Sequence, residues 1–191
     1  MPPLLLLHGT GGDENDLLPL GARLAPGAAL LSPRGKILEN GMPRFFRRLA
    51  EGVFDLDDLV ARTHELTDFV RGAEAAYRIA KPVAVGFSNG ANIAAAVLLL
   101  QPALLAGAIL LRTTLPLEPE QRPDLTAVPI LILSGRADPM VSAERRDQLA
   151  SLLTAAGADV THEILPAGHG LIPQDVVLAS AWLNRHFSHA M

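Results

Sequence analysis

Residues 82–100 read PVAVGFSNGANIAAAVLLL. The first six are an apolar, β-branched run of strand length. The last twelve are rich in alanine and leucine and have helix length. Between them Gly86-Phe87-Ser88-Asn89-Gly90 must turn a strand into a helix within about one residue. Glycines on both sides of Ser88 suit a strained turn in which strand and helix approach closely. The reading is a parallel strand followed by a buried helix, with a serine displayed at the strand's carboxyl end. In open α/β sheets that end is where ligands bind, and the helix N-terminus there favours developing negative charge. Taken alone, the five residues are equally consistent with a serine that merely caps the helix.

The rest of the chain repeats the pattern. Short apolar runs at 4–8, 28–32, 107–111, 129–134 and 160–165 alternate with helical periodicity at 13–24, 55–79, 142–156 and 173–187. Such alternation predicts βα units around a mostly parallel sheet. Leu56, Leu59, Val60, Leu66, Phe69 and Val70 mark the sheet-facing side of the long helix, and Gly157 ends the fourth helix. At 191 residues, 49% hydrophobic, the chain fits one domain over 1–191. A chain of that size buries roughly 70% of its unfolded surface.

Composition removes several function classes. A net charge of −4 with no dense basic run beyond Arg44, Arg47 and Arg48 leaves no footprint for nucleic acid. The absence of cysteine removes disulfides, thiolate metal sites and a cysteine nucleophile together. No HxH or HExxH spacing suggests a metal, and no cofactor is called for. The start lacks a basic n-region, and the apolar stretch from residue 91 is interrupted by Asn92, Gln101 and Pro102. No membrane span and a cytoplasmic location are therefore expected.

A serine nucleophile needs a base, an acid and a home for the oxyanion. His8-Gly9-Thr10-Gly11-Gly12 follows the first strand, and a glycine-rich turn there leaves amides free to point into a site. The amides of Thr10 and Asn89 are the expected hole. Neither a GKS ending nor GxGxxG is present, so the phosphate-loop alternative is weak. Of the six histidines, His169 in Pro166-Ala167-Gly168-His169-Gly170 lies after the last strand and before the last helix, where a loop can hang an imidazole over the sheet edge. His162 falls in a strand, His64 in a helix, His186 and His189 in the C-terminal tail; His8 is the runner-up, with a structural role favoured. Asp138, in Ser134-Gly135-Arg136-Ala137-Asp138-Pro139, follows the penultimate strand. Its alternative reading is an ordinary turn residue before proline.

Residues 33–53, PRGKILENGMPRFFRRLAEGV, fit neither period. A loop this long is expected to be a functional lid or disordered, and Phe45-Phe46 argues against disorder. Two readings of Phe45 and Phe46 stand: walls of a substrate pocket with Arg44 or Arg47 at its rim, or anchors pinning the loop to the core.

These stretches, namely LLLLHGTGGDENDLLPL from Leu4, ENGMPRFFRRLAEGVFDLDDL from Glu39, GFSNGANIAAA from Gly86 and the Asp138 and His169 loops, resemble the phospholipase/carboxylesterase branch of the α/β-hydrolases, which includes acyl-protein thioesterases. The resemblance implies an α/β-hydrolase three-layer sandwich without a large cap domain. It implies a Ser88, Asp138, His169 triad, a Thr10 and Asn89 oxyanion hole, a small-molecule ester substrate and a homodimer. Thioesterase or lysophospholipase activity is the alternative, and a non-catalytic binding protein a more distant one. Relatives usually carry a strand ahead of LLLLHG; its absence here implies either an exposed sheet edge or a shortened start. Arg112-Thr113-Thr114 stands where relatives vary, and no specificity is read from it.

Overall fold

The structure, a computed structural model, describes residues 1–188; His189 lies outside the described residues. The chain runs β1 (Leu4–Leu7), α1 (Leu18–Leu24), β2 (Leu30–Leu31), β3 (Ile37–Glu39), β4 (Met42–Arg44), β5 (Arg48–Ala50), β6 (Val53–Phe54), α2 (Leu56–Tyr77), β7 (Val83–Phe87), α3 (Asn89–Leu100), β8 (Gly107–Leu111), β9 (Pro129–Gly135), α4 (Ala143–Ala155), β10 (Asp159–Leu165) and α5 (Pro173–Phe187). One sheet in the order β10-β9-β8-β7-β1-β2 contains every long strand. All its pairings are parallel.

The unbroken leucine run of β1 follows from burial on both faces. Leu5 and Leu7 join Ala84, Leu110 and Ile132 on one face, packed against Leu59, Leu66 and Val70 of α2, the small face of α3, and Leu149 and Leu153 of α4. Leu4 and Leu6 join Val85, Ile109 and Leu133 on the other, packed against Leu24 of α1 and Ala179, Trp182 and Leu183 of α5. Helix α3 lies between the sheet and α2, and its residues from Asn89 through Leu99 are buried. The outcome is a three-layer sandwich.

Several boundaries differ from the expectation. Helix α1 starts at Leu18, not residue 13, because Pro19 is tolerated only in a first turn; farther inside a helix its ring would meet the carbonyl four residues back. Residues 13–16 instead form turns in which Asp13 accepts from the Asn15 amide at 2.7 Å. Helix α2 is capped by Asp55, which accepts from the Asp58 amide at 3.1 Å, and stops at Arg78 in the left-handed region. Phe69 points outward and is 42% exposed, so it is not a core residue. β1 is an inner strand, and the sheet ends on that side at the two-residue β2, short enough to offer little edge for further pairing. His186 belongs to α5, its ring 4.9 Å from that of Trp182.

Residues 33–53 are not a structureless lid. β3 and β4 form an antiparallel ribbon that pairs Glu39 with Met42 across Asn40-Gly41. Both turn residues have positive φ, 51° and 80°, as a two-residue hairpin turn requires. β5 and β6 form a second ribbon turning at Gly52. Phe46 is fully buried and meets Phe54 edge-on at 5.1 Å. No helix among the described residues is long and apolar enough to cross a membrane.

Candidate active site

Ser88 is the single residue between β7 and α3, at φ 54° and ψ −115°. A non-glycine residue held there costs about 1–3 kcal/mol and persists only where its surroundings over-determine it. Those surroundings are Gly86 and Gly90. A Cβ on Gly86 would lie 2.5 Å from the Gly90 carbonyl oxygen, and one on Gly90 would lie 2.0 Å from that of Leu7. The Ser88 amide is tied to the neighbouring strand through the Leu111 carbonyl at 2.9 Å. Its side chain makes no helix-cap hydrogen bond, which disposes of the capping alternative. Ser88 Oγ lies 2.8 Å from His169 Nε2.

His169 Nδ1 lies 2.8 Å from Asp138 Oδ2. The Asp138 side chain is 1% exposed and that of His169 21%, so the carboxylate is shielded while the imidazole reaches solvent beside the serine. The other Asp138 oxygen accepts from the Met140 amide at 2.9 Å, a turn of the kind foreseen for an aspartate before proline, and this fixes the carboxylate plane. Backbone bonds from Arg136 to Leu165 and from Ala137 to Ala167 tie the Asp138 loop to the His169 loop.

The turn after β1 is held from both sides by the β3–β4 ribbon. The Gly11 amide donates to the Pro43 carbonyl at 3.0 Å. Arg44, 3% exposed, donates to Thr10 Oγ1 at 2.9 Å and to the Phe46 carbonyl at 3.2 Å. Burial pushes the Arg44 guanidinium down, and Glu39 acts against that. The Phe45 amide donates to Asn89 Oδ1 at 2.7 Å, whereas Asn89 Nδ2 is buried without a protein partner. His8 is fully used: Nδ1 donates to the Gly9 carbonyl at 2.6 Å, and Nε2 accepts from the Gly35 amide at 3.0 Å. It is a structural histidine bracing this turn. Among the described residues, the Thr10 and Asn89 amides donate to no protein acceptor.

A cavity of about 540 Å³ opens over Ser88, His169, Thr10 and Asn89. Its lining interleaves apolar side chains, Val53, Phe54, Leu56, Leu115, Met140 and Val141, with the arginines Arg48 and Arg145. Arg48 pairs with Phe54 across the β5–β6 ribbon, and Arg145 donates to the Leu115 carbonyl at 2.7 Å. Phe45 and Phe46 line none of it and are core anchors at 5% and 0% exposure. The aromatic wall is Phe54 instead, one turn of ribbon away, and only the β5–β6 pairing reveals that. Arg47 points outward to Asp55 and Asp58. No group of three or more His, Asp or Glu residues is arranged to hold a metal among the described residues.

His162 stands apart, its Nε2 3.0 Å from Ser134 Oγ. Burial holds its imidazole below the ordinary histidine value; Asp147 and Glu163 act against this, and Arg146 acts with it. Folding thus favours the neutral ring. Its contribution is complete above the unfolded value near about 6.5 and is lost as pH falls toward the lower folded value, because the unfolded chain binds the proton first. Melting temperature is expected to fall more steeply between about pH 7 and pH 5 in the wild type than in His162→Gln. Parallel melting curves would show that His162 does not contribute.

Comparison with known proteins gives a consistent result. A model of the phospholipase/carboxylesterase family matches residues 55–187. The chain is 45% identical over 181 residues to the putative hydrolase MhqD of Bacillus subtilis, covering 94% of this chain and 90% of MhqD. The Bacillus cereus carboxylesterase superposes with a TM-score of 0.95 at 45% identity, over 97% of this chain and 89% of that one. YahD, solved with malic acid, superposes with a TM-score of 0.93 at 30% identity, over 97% and 94%.

Proposed function

Because the chain belongs to the phospholipase/carboxylesterase family of α/β-hydrolases, we propose that it is a serine carboxylesterase using Ser88 as nucleophile, His169 as general base and Asp138 as its orienting acid. One observation carries the reading: the unbroken relay in which Ser88 Oγ meets His169 Nε2 and His169 Nδ1 meets Asp138 Oδ2, each at 2.8 Å. Such a relay gives the serine a proton acceptor and holds that acceptor in one tautomer.

In the proposed cycle Ser88 Oγ attacks the ester carbonyl while His169 Nε2 takes its proton. The tetrahedral oxyanion is met by the Thr10 and Asn89 amides, which have no protein acceptor of their own. His169 returns the proton to the leaving alcohol, and the acyl group stays on Ser88. Water then repeats the attack, activated by the same imidazole. The apolar side chains Val53, Phe54 and Leu56 in the lining suit the hydrocarbon part of a small ester. A cavity of this volume is in the usual range for small-molecule sites.

The test is hydrolysis of p-nitrophenyl esters from acetate to octanoate beside thioesters of the same acyl groups. Turnover of the oxyesters with a rate optimum at one chain length is expected. Turnover of thioesters alone would make the protein a thioesterase using the same relay, and turnover of neither would remove the catalytic reading.

A further inference from the structure

Arg112 sits just past β8, 24 residues after Ser88 and 57 before His169, with a fully buried guanidinium and a positive φ of 56°. All five of its N–H donors are engaged. Two form a fork on the Asp175 carboxylate, from Nη1 at 2.8 Å and Nη2 at 2.7 Å. One reaches the Leu133 carbonyl at 3.1 Å, anchoring the group to β9. The remaining two are Nε to the Gly168 carbonyl at 3.1 Å and Nη2 to the Gly170 carbonyl at 3.0 Å. Those carbonyls belong to the residues immediately before and after His169.

Beyond the backbone bonds to Leu165 and Ala167 at its start, the loop has little else to hold its backbone. Among the described residues, no turn or loop backbone amide donates to the carbonyls of residues 168–171. Asp175 closes the arrangement from the far side, since its Oδ2 also accepts from the Ile172 amide at 2.7 Å where α5 begins. A buried charge pair is an expensive way to fasten a surface turn. It suits a loop that must be held in a shape its own backbone bonds do not fix, with each backbone oxygen gripped at a set angle.

We propose that Arg112, locked by Asp175, is the positioning residue of the general base, holding the backbone on both sides of His169 so that Nε2 stays on Ser88 Oγ. The inference rests on the assignment of Ser88 and His169 as nucleophile and base. Arg112 touches no reacting atom; it acts through the His169 loop. Lysine cannot replace it, because three donors on one nitrogen cannot span a carboxylate and two carbonyls in separate directions.

The experiment compares the wild type with Arg112→Lys and with the double variant Arg112→Met/Asp175→Asn, which removes both buried charges together and so avoids an unpaired one. Active sites are titrated to completion with a fluorophosphonate, and kcat and KM for a p-nitrophenyl ester are expressed per titrated site. A misplacement of about 1 Å lowers catalysis on the order of a hundredfold. The expected result is kcat per site down by about that factor in both variants with KM within about twofold. Fewer titratable sites with wild-type kcat at each would show a merely structural role and overturn the proposal. Ser88→Ala is measured alongside. If it is inactive while the Arg112 variants keep full kcat per site, the positioning role alone fails. If it remains active, the nucleophile assignment fails and the positioning role falls with it.

Discussion

Replacing Ser88 by alanine is expected to lower kcat on a p-nitrophenyl ester by about a millionfold, His169→Ala by a similar factor, and the double variant by no more than either. The non-additivity is the informative part. The hydroxyl is a weak nucleophile without the imidazole, and the imidazole has nothing to activate without the hydroxyl, so the first loss already removes what the second could. Asp138→Asn is expected to cost about 10⁴-fold, because an amide in that place favours the wrong tautomer at His169 Nδ1. Steady-state kinetics with melting curves on each variant check this. The single variants should melt near the wild type, since Ser88 and His169 are partly exposed and their bonds to each other are dispensable for the core. Residual turnover in Ser88→Ala within tenfold of wild type would mean that another group attacks the ester. Losses that multiply in the double variant would mean that Ser88 and His169 act in separate steps.

The arrangement these variants probe was legible in the sequence to an uneven degree. Ser88 stood out because two strong local signals, an apolar strand and an alanine-rich helix, leave it no place except the turn between them. Asp138 and His169 were located by address, since loops at strand ends converge on one edge of a parallel sheet. Their mutual distances were not in the sequence. Arg112 could not be singled out at all. Its neighbours Leu110 and Leu111 mark the end of a strand, and its partner Asp175 lies 63 residues away. Nothing local says that this arginine is buried. The ribbons at 37–54 were hidden for a different reason: strands of two or three residues show no usable alternation. Yet Asn40-Gly41 between Leu38 and Met42 is a hairpin signal with a physical basis. Reading it would have turned the supposed lid into a brace for Thr10 and Asn89. Phe69 shows the reverse error, a residue in phase with the buried stripe but at its margin, where α2 has no partner to cover it.

The second large effect concerns the approach of α3 to the sheet. Gly90→Ala is expected to destabilise the protein by about 4 kcal/mol or more, in the range reserved for severe core disruption. A Cβ at Gly90 would fall 2.0 Å from the Leu7 carbonyl oxygen, 2.4 Å from the Leu7 carbonyl carbon and 2.6 Å from the His8 carbonyl oxygen. All three are backbone atoms of the inner strand β1 and the turn that follows it, so no side chain can rotate away. Either α3 lifts off β1 or β1 bends. Lifting α3 would open the contacts of Ala91, Ala94 and Ala95, each with no exposure; bending β1 would shift the turn carrying Thr10. At roughly 2–4 °C per kcal/mol for a chain of this size, the melting temperature should drop by about 8–16 °C. Gly72→Ala is the control. Gly72 lies within α2 with nothing within 4 Å of its would-be Cβ. There alanine should raise stability by up to about 1 kcal/mol through helix propensity. Opposite shifts from the same chemical change would locate the effect in packing against backbone. A Gly90→Ala protein melting within about 2 °C of wild type would mean that α3 and β1 have room to separate. The tight turn would then owe its geometry to Ser88 and Gly86 alone.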